Sequence, residues 1–559
     1  SFVGEIIIIL PTNDGICIRW REGEGDRPQR KQEVLSHNDF QPYFYVKKED
    51  ATKQSASVSN KWSKKTSPFE FTYEHDCATN LEGDSLSKVY YSPNHPKHMR
   101  DVKNAFIQTY EADVPYHHRY AVDKIQSIPE YRLRKYYWDM EWQQGGEHSG
   151  AITCIIVYDN YDDVFHQYAW FPEDNHYESK DILIFNSENE MLLSFLSRIV
   201  LDDPDMFISW FGNQFDLPKL LERCVKNGID ARIISPMLEI TGFYESKEGY
   251  TFRKDSFSPI EQPIKGRITL NLDLAFERQW NDSQRGTLPS MSLDYISTEV
   301  LNEKKLVSEK FPEKSEFFAR GWLEDTDTYL KYAKLDVDLI KRIDGENFTS
   351  EAIISLQRLL KAPFDACFYA SHMGGIYFMR NASWKAPTGR KEDRVDYDGA
   401  MVYDPLEAGT NGLHLGVAAF DFAGLYPSMM IARNISWETK SITPTEFAVN
   451  ILTPKDFSDT ENIRMLYYNT DALGLLPRAV LELKELRNQY KNNMKKAESK
   501  SEYAKWNNNQ LAVKRLMASF YGIIAYQGFG WADVDLAASI TASAREAIRE
   551  AAFKVRQLS

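Results

Sequence analysis

The spacing of apolar positions changes along the chain, and each change marks an element. Val3 to Leu10 is mostly apolar, Asn13-Asp14-Gly15 carries turn residues, and Ile16 to Trp20 is apolar again. That order predicts a hairpin. Pro42 to Val46 reads as a further strand, and the Ser/Lys-rich stretch from Lys48 to Lys65 as a solvated loop. Tyr136 to Trp142 is an aromatic strand. The apolar stretch from Phe207 reaches a glycine turn at Gly212, and Asp216 then opens a helix through Leu220, Leu221 and Cys224. Tyr329 to Ile340 follows helical spacing, as does Ala352 to Leu360, with turn-rich sequence after it to about residue 393. Leu413 to Phe420, bounded by glycines, predicts a buried strand with Asp421 at its carboxyl end. Pro427 then suits the first turn of a helix continuing to Ala432. Gly474 to Pro477 opens a long helix to about Lys500, and a second helix carries Lys514 to Gly522.

At 559 residues the chain has room for roughly three to four domains. Hydrophobic residues make up 43% and charged residues 26%, an ordinary soluble balance. The 31 Tyr, 31 Phe and 12 Trp can fill large cores. A net charge of −14 excludes a uniformly basic surface but allows basic grooves over metal-binding carboxylates. Cys17, Cys77, Cys154, Cys224 and Cys367 form no C-x-x-C pair and read as reduced core thiols of a cytosolic protein. No stretch is apolar enough to span a membrane, and no signal peptide is visible. A cytoplasmic location is expected, the host cytoplasm if the source is viral.

The carboxylates carry the candidate chemistry. Asp139 and Glu141 stand two apart on a strand, so both point to one face. Two acids on one face repel unless a cation or solvent separates them, and a solvated strand edge is the bland alternative. Asp216 at a helix start fits an N-cap as well as a ligand. Tyr332 and Asp336 are four apart on one helix face, whereas Asp338 lies off it. Asp421, at a strand end before a helix N-terminus, can hold a metal ion beside phosphate-binding N–H groups, or simply cap the helix. Lys484, Arg487, Lys491 and Lys495 form a basic stripe, which alone reads as a solvated face. Lys514, Ala518 and Tyr521 share a face of the next helix. Two antiparallel helices can aim Arg487, Lys491 and Lys514 at one anion, such as a nucleoside triphosphate.

Asp421-Phe422-Ala423-Gly424-Leu425-Tyr426-Pro427-Ser428 resembles motif A of the family B DNA polymerases, D-x-x-S-L-Y-P-S, with Gly424 in place of serine. Asp139-Met140-Glu141, Asn213 ahead of Phe215-Asp216, and Tyr332 ahead of Asp336 resemble that family's three exonuclease motifs in order; Asn213 stands closer to the aspartate than is usual. Lys514 to Gly522 resembles motif B, with Ala518 where the family has asparagine, and Tyr397-Asp398-Gly399-Ala400 resembles the element between the two active sites. Asp325-Thr326-Asp327 spells the D-T-D of motif C but lacks flanking apolar strands and reads as helix capping.

The resemblance implies a multidomain α/β (α+β) architecture. A β-rich N-terminal domain spans 1–128, a ribonuclease H-like 3′→5′ exonuclease 129–345 and a helical connector 346–393. The first part of the palm follows at 394–470, two-helix fingers at 471–525, and a return toward the palm at 526–559. It implies Asp139, Glu141, Asp216, Asp336 and Asp421 as catalytic metal ligands, and Tyr332 as the residue that holds the attacking water. Leu425, Tyr426, Arg487, Lys491, Lys514 and Tyr521 would bind nucleotide. Asn213, Phe215, Tyr397 and Gly399 would contact DNA. The implied cofactor is Mg²⁺, with Mn²⁺ able to substitute, at two ions per active site. The implied partners are primer-template and single-stranded DNA, deoxynucleoside triphosphates, a C-terminal fragment bearing motif C and the thumb, and a sliding clamp. The chain is thus expected to be the front part of a proofreading polymerase, either a split enzyme's first subunit or a trimmed chain. The alternative is a stand-alone 3′→5′ exonuclease with a vestigial polymerase half. The full carboxylate set argues against a non-enzymatic binding protein.

Overall fold

The computed structural model describes residues 5–23, 25–53, 69–128, 130, 132–282, 285–390, 395–402, 406, 409, 411–452 and 463–558. Most of the Lys48 to Lys65 stretch lies outside the described residues. The chain forms two compact units. One gathers residues 1–40, 116–368 and 498–512, and the other 41–115, 369–497 and 513–559. The first 128 residues are therefore divided between the units at residues 40/41 and 115/116.

In the first unit the predicted hairpin is present as Glu5–Pro11 paired antiparallel with Gly15–Glu22, and Gln29–Ser36 completes a three-stranded sheet. The centre of the unit is a six-stranded sheet. Its core is Lys135–Trp142, Ile152–Asp159 and Val164–Trp170, joined antiparallel in that order. Met206–Ser209 adds parallel to the first of these and Ile268–Asn271 parallel beyond it. This order, third-second-first-fourth-fifth, is the ribonuclease H-like arrangement; Leu183–Phe185 extends its far edge. Every residue of Ile152–Asp159 is buried, as expected of a strand covered on both faces. The small sheet is fastened to the large one by Arg19, buried, which donates to Gly266 O at 2.7 Å and to both oxygens of Asp203 at 2.7 and 2.8 Å.

The second unit contains an antiparallel sheet of Tyr43–Lys47, Ser85–Ser92 and Glu70–Thr79, packed on a core that includes Phe44, Val89, Tyr91 and Phe106. A second small sheet pairs Met465–Tyr468 with Lys440–Ser441 and Phe447–Asn450. Its long helices are Leu475–Lys495, the later part of Lys500–Ala525, and Val534–Leu558.

Four expectations change. Residues 413–420 form no strand: Leu413, Leu415, Val417 and Phe420 are 90, 88, 74 and 91% exposed. Apolarity marks a segment that gains from burial, but a strand also needs a neighbour for its N–H and C=O groups, and none of the described strands lies alongside. The stretch after Leu360 is less irregular than its glycines suggest, because Ala370–Asn381 is a helix. Gly374 serves close packing there, since a Cβ would lie 1.6 Å from Cδ1 of buried Ile523. Cys77 is exposed rather than in the core, turned out by an irregularity between Glu74 and Ala78. Asp325 and Asp327 do open the helix Thr326–Asn347, but not by side-chain capping. Asp325 accepts from Ser308 Oγ at 2.6 Å and Asp327 from Tyr177 OH at 2.7 Å. Among the described residues, no helix is long and apolar enough to cross a membrane.

Candidate active site

The first unit builds its site on the central strand Lys135–Trp142. The two-residue spacing of Asp139 and Glu141 sets both carboxylates on one face. The parallel neighbour Met206–Ser209 ends in a turn that delivers Asp216 as the first residue of the helix Asp216–Lys226. That turn is pinned by its backbone: Phe211 N donates to Asp273 at 2.9 Å, and Asn213 N to Asn271 at 3.1 Å. The helix Thr326–Asn347 supplies Tyr332 and Asp336 from one face. Ligand-capable oxygens of Asp139, Glu141 and Asp336 all lie within 4.8 Å of one another. Asp216 joins through a side-chain hydrogen bond with Asp139. Glu141, Asp216 and Asp336 are only 9, 4 and 3% exposed.

Burial dominates the electrostatics. It raises Asp139 above the usual carboxylate range, and it pushes Glu141 and Asp216 well above it, with the neighbouring acids adding to the effect. Burial also brings Asp336 up to about 7, although Lys305 opposes the shift. Asp336 Oδ1 is buried with no hydrogen-bond partner among the protein atoms. Four clustered acids and an orphaned oxygen form a set that asks for positive charge, and oxygen donors suit hard divalent ions.

One functional residue escaped sequence reasoning. Lys305 Nζ lies 2.6 Å from Asp336 Oδ2 and 3.2 Å from Tyr332 OH, in a largely buried position. Its ammonium lowers the proton affinity of Asp336, Asp139 and Glu141. The phenol of Tyr332 is raised by burial and then by Asp336, so it keeps its proton. The only signal for Lys305 was a basic pair, Lys304-Lys305, in a polar stretch without periodicity.

Two residues expected at DNA part company here. Phe215 is 58% exposed and offers a ring face. Asn213 is 2% exposed, and its amide donates to Ser258 O and Glu261 O, both at 2.9 Å. Asn213 therefore braces a loop and does not present its side chain to a ligand, because both donor positions are spent inside the fold.

In the second unit Asp421 is exposed on the irregular segment that precedes the helix Leu425–Ala432. Among the described residues it joins no group of three metal-competent side chains. Gly424 has a left-handed backbone, φ 65°, which suits glycine. Leu425 opens the helix, and the Tyr426 ring lies 4.7 Å from that of Tyr521. The Tyr521 hydroxyl is 2.9 Å from the Tyr397 hydroxyl. Thr541 Oγ1 and Arg545 Nη1 donate to Asp398 O at 2.7 and 2.8 Å, and Arg545 Nη1 donates to Gly399 O at 2.7 Å. The three tyrosines are thus gathered, with the 398–399 backbone tied to the last helix. Lys491 is lowered by burial and then by Arg487, Lys495 and Lys514, so these cations lie in mutual reach. Ala518 is exposed between Lys514 and Tyr521.

Comparison with known proteins agrees with this layout. The family model described as DNA polymerase family B matches residues 374–558, and that for the family B exonuclease domain matches residues 140–274. A DNA polymerase of Pyrococcus glycovorans is 26% identical over 486 residues, 82% of this chain and 57% of that protein. The DNA polymerase delta catalytic subunit of Arabidopsis thaliana is 25% identical over 388 residues, 66% of this chain and 33% of that protein. The chain spans little more than half the length of the archaeal polymerases it matches. The family B DNA polymerase structure from Pyrobaculum calidifontis superposes with a TM-score of 0.68 at 18% identity, covering 100% of this chain and 72% of that one.

Proposed function

The chain belongs to the family B DNA polymerases and carries their exonuclease domain, and from that premise we propose that its first unit removes nucleotides from the 3′ end of DNA with divalent-cation assistance. The observation that carries this reading is the cluster of half-buried Asp139 with buried Glu141, Asp216 and Asp336, with Tyr332 and Lys305 beside it. The four acids would hold two Mg²⁺ ions, and Mn²⁺ would substitute. When bound, the ions supply the charge that makes water nucleophilic and steadies the departing oxygen. Tyr332 orients the attacking water through its phenol oxygen. Lys305 favours the ionised form of Asp336 and holds the Tyr332 hydroxyl in place. Phe215, exposed beside Asp216, stacks against a base of the frayed strand.

The second unit serves template-directed synthesis. Asp421 would hold catalytic metal, and Leu425 and Tyr426 line the sugar site, where a ring leaves no room for a 2′-hydroxyl. Arg487, Lys491 and Lys514 neutralise the triphosphate, and Tyr521 and Tyr397 close the tyrosine cluster. Tyr397 and Gly399 contact the primer strand. Asp421 needs a second acid across the metal, and the exposed apolar segment 413–420 needs a strand to pair with. A C-terminal polypeptide with motif C and a thumb meets both needs. Sliding-clamp association belongs to that assembled enzyme.

The test is hydrolysis of 3′-labelled single-stranded DNA by wild type and by Asp139→Ala with Glu141→Ala. The double substitution should abolish Mg²⁺-dependent release while leaving the fold intact by circular dichroism. Undiminished release would place the nuclease elsewhere.

A further inference from the structure

A second group of metal-competent side chains lies in the first unit, away from the carboxylate site. His117 and His118 stand at the start of the helix Tyr116–Lys124, and Asp365 lies in the short helix Phe364–Phe368. His117 Nε2 is 3.0 and 2.9 Å from the two oxygens of Asp365, and His118 Nε2 is 3.1 Å from the second. Successive helical residues diverge by about 100°, so neighbouring imidazoles do not meet by default. Here the two rings are drawn together, with centroids 4.4 Å apart, and turn the same nitrogen toward one carboxylate. All three donors lie within 4.8 Å of one another. The imidazoles are buried, while the Asp365 side chain is 24% exposed. The donors therefore converge at a place that solvent reaches from one side.

We propose that His117, His118 and Asp365 form a structural binding site for Zn²⁺. Two imidazole nitrogens and one carboxylate oxygen suit this borderline-soft ion in four-coordination, with water in the open position. Mg²⁺ and Ca²⁺ prefer an all-oxygen set, so the carboxylate site and this one sort ions by donor type. The Asp365 carboxylate supplies a negative charge at the mouth of the site, which favours a cation. Lys265, within electrostatic reach of Asp365, reduces that pull.

Asp159, His166 and Asp202 are also grouped at ligand distance. There Arg134 already supplies the cation, at 2.5 Å from Asp159 and 3.5 Å from Asp202. At the other site His117 and His118 both turn to the same Asp365 carboxylate, at 2.9 and 3.1 Å.

The site has a purpose in the chain's path. The backbone enters the first unit at 115/116 and leaves its largest segment at 368/369. His117 and Asp365, 248 positions apart, sit just inside those two points. A bound ion would clasp the entry to the exit and close a long loop, the case in which a cross-link removes most chain entropy.

The test uses the full chain with Asp139→Ala and Glu141→Ala, so that the carboxylate site does not contribute. After chelator treatment it is titrated with Co²⁺ and with Zn²⁺. The expected results are one equivalent bound, an intense visible Co²⁺ band of the four-coordinate nitrogen-ligated type, and a higher Tm with Zn²⁺. Adding His118→Gln, or separately His117→Asn, should remove the band. Either should also weaken Zn²⁺ by more than about 100-fold, beyond the loss typical of an outer hydrogen-bond partner. No visible band in the chain with both histidines, a readout that needs no histidine variant, would overturn the proposal. Equal Zn²⁺ uptake with and without the histidines would overturn it too, leaving a hydrogen-bonded tie.

Discussion

Replacing Lys305 by methionine keeps the length of the side chain and removes its charge. The ammonium now lies 2.6 Å from Asp336, an attraction of about 6 kcal/mol at an effective dielectric of about 20. Desolvation of a largely buried ammonium offsets much of it, leaving about 2–3 kcal/mol. At about 1.4 kcal/mol per pH unit, Asp336 would then hold its proton roughly two units higher than now, with Asp139 and Glu141 shifting in the same direction. The same ammonium also repels a divalent ion. Two consequences of opposite sign follow. Below about pH 8 the variant's acids stay protonated, so it needs more Mg²⁺ than wild type. Well above that pH the acids ionise and the repulsion is gone, so it needs less. The assay is the Mg²⁺ concentration for half-maximal 3′ hydrolysis of a labelled single strand, measured from pH 6 to 10. The two curves should cross. Parallel curves, or curves that coincide, would refute the electrostatic role assigned to Lys305.

Further outcomes follow from the same geometry. Asp336 binds its proton up to about 7 in the fold, against about 3.9 when unfolded, so the folded state holds more protons between those values. The stability contributed by the protonated group is complete below about pH 4 and is lost as pH rises through 7. Mg²⁺ should therefore raise Tm more at pH 8 than at pH 5.5, and an equal rise by calorimetry would count against the cluster as the ion's site. In the assembled polymerase, Tyr426→Ala should increase ribonucleotide incorporation while leaving the KM for deoxynucleotides within a few-fold. Unchanged discrimination in a gel assay would reduce Tyr426 to packing against Tyr521. Residues 1–559 alone should extend no primer, because Asp421 joins no group of metal-competent side chains among the described residues. Extension that disappears with Asp421→Ala would contradict this.

The faces on which the candidate nuclease residues lie were legible from local pattern, and the resemblance to the family's exonuclease motifs joined them into one site. Asp139 and Glu141 share a strand face by period two, Tyr332 and Asp336 share a helix face by period four, and Asp216 follows a strand and a turn. Local periodicity carries such facts without tertiary information. Lys305 was not legible, since it reaches Asp336 from an irregular segment and its partners are far along the chain. The same limit hid His117 and His118, whose carboxylate is more than two hundred positions away. It also explains Asn213, which looked like a ligand-facing amide until Ser258 and Glu261 used both of its donors. Residues 413–420 fail for another reason. Hydrophobic content states a need for burial, and it says nothing about whether a partner strand stands beside the segment. The helix Ala370–Asn381 was masked by Gly374 and Gly375, residues that lower helix propensity but admit Ile523 and Phe529 respectively.

The central claim is that the buried acids of the first unit bring divalent ions onto the terminal phosphodiester. Sulfur in place of a non-bridging oxygen at that phosphate tests it in the unaltered protein, because Mg²⁺ binds sulfur poorly and Mn²⁺ tolerates it better. Single-stranded DNA ending in each phosphorothioate stereoisomer is digested with either ion. The account predicts that one stereoisomer is cut far more slowly than the normal end in Mg²⁺ and that Mn²⁺ restores most of the rate. Equal slowing in both metals, or no slowing for either isomer, would contradict a metal-held phosphate at Asp139, Glu141, Asp216 and Asp336.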